Sequence, residues 1–180
     1  MDAVARTWLG FAALGAGLVH FALAVGSPPA VAVGFVIVGA AEFAWGVFAF
    51  TTDHLPLPWL ARAGALFPVV LWALALVTGL GFADFVRVFP MLAASALDLA
   101  IAIGVTFVMR TTKVDAAASP PRSPRTLRPP AYLAAMFAGA LVVGAVTTPA
   151  LAATEAGEFA SHSGHGTTGL VDLPADGHDH

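Results

Sequence analysis

The chain has 180 residues, of which 58% are hydrophobic and only 11% charged, with a net charge of −3. A soluble domain is about one-quarter charged, so with a mean hydropathy of +0.84 a water-exposed globular surface is excluded. The absence of cysteine excludes disulfides, iron–sulfur clusters, thiolate zinc sites and a Cys nucleophile.

Five stretches are long and apolar enough to cross a bilayer, whose hydrocarbon core needs about 20 residues of helix. They cover approximately residues 8–25, 30–50, 59–80, 88–109 and 131–152. Lipid offers the backbone no hydrogen-bond partners, and no alternating pattern suggests a barrel, so helices are expected. The expected fold class is an all-α integral membrane protein with five transmembrane helices. A four-helix membrane core over 1–110 is joined by short connections, which favours antiparallel packing. A cytoplasmic Pro/Arg-rich linker follows over 111–130, then the fifth helix over 131–152. Residues 153–180 form an acidic, His-containing tail expected to be extracytoplasmic and disordered.

Direction follows from the basic residues. Arg6, Arg62, Arg110, Lys113, Arg122, Arg125 and Arg128 fall on one side of the five spans, and Arg87 alone falls on the other. The positive-inside rule then puts the N-terminus in the cytoplasm and the tail outside a bacterial-type cytoplasmic membrane. Trp8, Trp59 and Tyr132 at the cytoplasmic boundary agree with an aromatic belt. The first span lacks a small-residue cleavage site and reads as a retained helix. Residues 125–152 resemble a basic, apolar and small-x-small secretory signal with a cut after Ala152, although an uncut fifth span is simpler. Pro68, in the middle of span three, removes a backbone bond to Gly64 and is expected to bend the helix.

Three ionisable residues lie within the spans: His20, Glu42 and Asp98. At about 1.5 Å per residue, Glu42 lies ~18 Å and Asp98 ~15 Å from the outer surface, whereas His20 is only ~7.5 Å down. Small residues flank each at helical spacing: Gly39 and Gly46 around Glu42, Ala94, Ser95 and Ala102 around Asp98, Gly17 and Ala24 around His20. Such faces allow close helix approach, so the three are expected to point into the bundle. An unpartnered carboxylate in hydrocarbon must bind a proton or find a partner, which makes this a candidate intramembrane polar site. The competing reading is polar packing between helices.

The tail carries five acids, no Lys or Arg, and four of the six histidines. His162 and His165 form H-x-x-H, and His178 and His180 flank Asp179. Imidazole with carboxylate suits a divalent zinc, copper or nickel ion, so these four residues and His20 are candidate metal ligands. No phosphate-binding loop, H-E-x-x-H or nucleophile elbow is present, and one in-span histidine does not make a haem pair, so no enzyme is expected. The basic residues cluster in one linker, which argues against a nucleic-acid partner. The sequence therefore suggests metal-cation handling at the extracytoplasmic face. The alternatives are a non-catalytic membrane subunit or assembly protein, with a protein partner or homo-oligomer, and a minimal proton-coupled permease.

Overall fold

A computed structural model describes residues 3–79, 86–117 and 129–164, and every element among them is helical. The elements are α1 (Ala3–Ala24), α2 (Pro29–Thr51), α3 (Pro58–Thr78), α4 (Val88–Ala117), α5 (Pro129–Ala152) and α6 (Glu155–Gly164). The first five are each long and apolar enough to cross a membrane. Proline opens α2, α3 and α5, where its missing N–H is one of the helix's free donors in any case. Gly79 closes α3 with a left-handed backbone, φ 68°, which a glycine adopts without strain. Pro68 lies inside α3, which continues through it.

The interior of this bundle is small and the exterior large. In the 18-residue apolar window of α1, 61% of residues are buried, against 17% in α2 and 11% in α5. The buried face of α1 is built from glycine and alanine, with Leu9, Val19, His20 and Leu23 among them. Bulky apolar groups such as Ile37, Val77, Ile103, Phe107 and Phe137 instead lie exposed on the outside. Water would expel that surface; hydrocarbon accepts it.

Close backbone approach explains why α1 is the hub, contacting α2, α4 and α5. A Cβ added to Gly17 would stand 2.8 Å from the Gly39 carbonyl oxygen, and one on Gly46 would stand 3.0 Å from that of Gly10. These two pairings run α1 and α2 past each other in opposite senses. On another face, Trp8 donates its indole N–H to the Ala135 carbonyl at 2.9 Å, and Gly15 meets Val143 and Thr147. Helix α5 packs directly on α1 and α4. Helix α3 leans mainly on α4 and touches its chain neighbour α2 only lightly.

Two boundaries differ from the sequence expectation. Helix α4 continues to Ala117, into the segment read as linker; Thr111 and Thr112 return their hydroxyls to carbonyls of the preceding turn instead of ending it. The tail is not disordered from residue 153, because α6 begins at Glu155. Thr154 caps it by accepting the Gly157 N–H at 3.2 Å. Glu155 and Glu158 lie in its first turn, where the helix dipole favours negative charge.

Arg87 fastens α6 to the end of the bundle. Its guanidinium donates to both carboxylate oxygens of Glu158, at 2.6 and 3.0 Å, and to the Ala153 carbonyl at 3.1 Å. The bond to Glu158 raises the already high basicity of Arg87, so the pair stays ionised. Both side chains are about half exposed, and such pairs are screened by salt. Arg87→Gln is therefore expected to speed amide hydrogen exchange across Glu155–Phe159 while leaving α1 and α4 protected. The same change is expected when salt is raised with the natural chain.

Candidate functional site

His20, Glu42 and Asp98 come from three different helices and meet in the interior. Each offers one ligand atom, and these atoms lie within 4.8 Å of one another. This is the one such cluster among the described residues. His20 and Asp98 are fully buried and Glu42 is 8% exposed. The site sits where two packed cores join, one containing Ala16 and Leu97, the other Val19 and Ala94. Those are the helical neighbours of His20 and Asp98.

His20 and Glu42 meet although their backbones lie at different levels. With Gly17 facing Gly39, His20 lies opposite Val36, six residues and about 9 Å along the axis from Glu42. A helical side chain leans toward its own helix N-terminus. Because α1 and α2 run in opposite senses, His20 and Glu42 lean toward each other and close that gap. The result is a hydrogen bond between His20 Nδ1 and Glu42 Oε2 at 2.7 Å. Counting residues from the helix ends gives the backbone offset and leaves this tilt out. Asp98 on α4 reaches the same point.

The cluster is under-bonded. His20 Nε2, Glu42 Oε1 and both oxygens of Asp98 are buried with no N–H or hydroxyl donor in reach, and a proton shared between Glu42 and Asp98 is the one bond open to the two carboxyls. Ser95, one turn before Asp98 on α4, is also buried with an unbonded hydroxyl. No lysine or arginine lies within the spans near this level. A buried polar group without a partner costs about 1–3 kcal/mol, and a charged one more. Three residues held together with so few mutual bonds suit an added ligand better than a dry contact.

Phe35 was not anticipated. Its ring stacks on the His20 imidazole, with centroids 5.9 Å apart and planes inclined at 22°. The signal was present, since Phe35 is two turns before Glu42 and shares its face. Trp72, buried on α3 with an unbonded indole nitrogen, gave no comparable sign. Of the tail candidates, His162 falls within α6, but its side chain lies outside the described structure. His165, His178 and His180 lie outside the described residues.

A groove between α2 and α3 reaches Glu42 from the other side. A cavity of about 350 Å³ is lined by Glu42, Trp45, Leu60, Gly64 and Phe67, among others. A second, of about 280 Å³, continues toward the start of α2 along Phe35, Pro68 and Trp72, sharing Val38 and Phe67 with the first. Comparison with protein-family models, with curated proteins and with solved structures finds no match to this chain.

Proposed function

We propose that this chain is a multi-pass membrane protein, with its N-terminus cytoplasmic, that binds a divalent transition-metal cation between its helices. Helices α1–α4 form an antiparallel core, and His20, Glu42 and Asp98 are the ligands. The observation that carries this reading is the cluster itself: one imidazole and two carboxylates within 4.8 Å, with four of their polar atoms reached by no N–H or hydroxyl donor. The His20–Glu42 bond and the Glu42–Asp98 carboxyl contact hold the three together and leave His20 Nε2 without a partner.

Charge decides the class of ion. Two carboxylates in a low-dielectric interior with no nearby Lys or Arg are neutralised by one divalent cation, and the imidazole stays neutral to bind it. Nitrogen and oxygen donors suit zinc, nickel or Cu(II) and not Cu(I). Zinc bonds of about 2.1 Å in tetrahedral geometry put ligand atoms ~3.4 Å apart. The widest separation, up to 4.8 Å, therefore closes by roughly an ångström around the ion while the 2.7 Å His20–Glu42 contact opens. Ser95 or a water supplies the fourth position. The tail histidines His162, His165, His178 and His180 gather the ion above the bundle. The chain has no catalytic role in this reading.

Cobalt(II) tests the centre because its visible spectrum reports nitrogen and oxygen coordination directly. The protein in detergent is expected to give saturable tetrahedral-type absorption, displaced by zinc and weakened as the pH is lowered, because protons compete for the ligands. Glu42→Gln, Asp98→Asn and His20→Ala each abolish it while helicity is unchanged. His162→Ala with His165→Ala lowers only weak additional binding. A natural chain that gives no saturable spectrum, or an Asp98→Asn variant that gives an unchanged one, overturns the proposal.

A further inference from the structure

We infer that the groove between the start of α3 and the end of α4 is a binding site for one anionic phospholipid. Arg62 and Arg110 hold its phosphate, and an acyl chain lies along Leu66, Leu99, Ile103 and Phe107. The site rests on the membrane reading of the chain and is independent of the metal centre, none of whose ligands lines it.

The groove is a cavity of about 380 Å³ walled by these two helices. Arg62 stands on the second turn of α3, which begins at Pro58. Arg110 stands two residues before Thr112, where the apolar stretch of α4 ends. Both charges therefore lie at the same end of the spans. Further in, the wall is apolar: Leu66 is one turn along α3, and Phe107, Ile103 and Leu99 are about one, two and three turns back along α4. From Arg110 to Leu99 the helix covers ~16 Å, close to one leaflet of a bilayer whose hydrocarbon core is roughly 30 Å thick. A charged end and an apolar length in that proportion fit an amphiphile lying parallel to the helices. Ile103 and Phe107 are exposed, so a lipid enters from the side.

Charge fixes the kind of headgroup. No carboxylate lines the groove, and neither arginine belongs to an ion pair found among the described residues, His20–Glu42 and Arg87–Glu158. Thr106, the remaining polar side chain on the wall, already donates its hydroxyl to the Ala102 carbonyl at 2.7 Å. The two guanidinium groups are left to recognise the ligand, and their planar forks match phosphate oxygens. Two like charges on one groove repel, and a single anion between them relieves both. A zwitterionic headgroup brings its own ammonium against them. Free phosphate meets the charge but makes no use of the apolar wall.

The full-length protein, delipidated in detergent, is titrated with dioleoylphosphatidylglycerol or dioleoylphosphatidylcholine, and bound lipid is counted by native mass spectrometry. One phosphatidylglycerol is expected to be retained, at roughly tenfold lower concentration than phosphatidylcholine. Arg62→Gln and Arg110→Gln each weaken that retention ~5-fold, and together ~25-fold. Helicity and cobalt binding are unchanged in both, because the two side chains are exposed. Arg122→Gln, Arg125→Gln and Arg128→Gln combined, which remove three charges from the segment between α4 and α5, leave retention as it was. Millimolar inorganic phosphate displaces no lipid. Equal retention of the two lipids, full retention by the Arg62→Gln/Arg110→Gln double variant, an equal loss in the triple variant, or displacement by phosphate overturns the inference. Alkaline extraction of the natural chain from vesicles tests the membrane reading separately, and failure of cobalt to bind overturns only the metal reading.

Discussion

Asp98→Val is expected to raise the stability of the metal-free protein by about 1–3 kcal/mol while abolishing metal binding. Asp98 is fully buried, and no N–H or hydroxyl donor reaches either of its oxygens. Its removal leaves the His20–Glu42 contact in place and costs only the carboxyl–carboxyl contact with Glu42. A valine methyl pair fills the same space beside Leu97 and Ile101, which already belong to the packed core. Denaturation of natural and variant chains, each stripped of metal with chelator, measures the difference. Added zinc is expected to narrow the gap by stabilising only the natural protein, since a ligand stabilises the state it binds. Loss of stability in metal-free Asp98→Val shows instead that Asp98 holds helices together, and the binding reading then falls.

Gly39→Leu has the opposite consequence, a loss of about 3 kcal/mol. At this crossing a Cβ on Gly39 stands 2.9 Å from the Gly17 carbonyl oxygen and 3.1 Å from the Phe21 ring. The oxygen belongs to helix backbone and does not move aside as a side-chain tip does. Helices α1 and α2 must separate, and the His20–Glu42 bond opens with them. Gly34→Leu on the same helix is the control. Its Cβ meets nothing within 4 Å, and leucine is the better helix former by up to about 1 kcal/mol. Thermal unfolding of both variants in one detergent checks the contrast; equal losses refute the close-packed crossing.

The positions of the five long helices were legible because length, hydropathy and bounding prolines all act locally. The three polar residues stood out for a similar reason: charge is rare in these segments, so each example is visible. Their assembly was less legible. Small neighbours such as Gly39 and Gly17 indicated a buried face, but not that His20 reaches Glu42 across six residues of axial offset. That depends on two opposed side-chain tilts, a property of the pair and not of either helix. The hub position of α1 was likewise hidden, since α5 is remote in sequence yet rests on Trp8 and Gly15. Helix α6 was missed because glycine and serine in its sequence suggest a tail. Its cap at Thr154 and its clasp to Arg87, 71 residues away, reverse that local preference.

The placement of His20 on α1 has a consequence for biogenesis. Chains emerge N-terminus first, so this helix leaves the ribosome carrying a buried imidazole well before α4 exists. Glu42 follows on the very next helix, 22 residues later. The second acid joins only after two further segments have been threaded. Synthesis thus makes the His20–Glu42 pair available early and the three-residue cluster only once α4 exists.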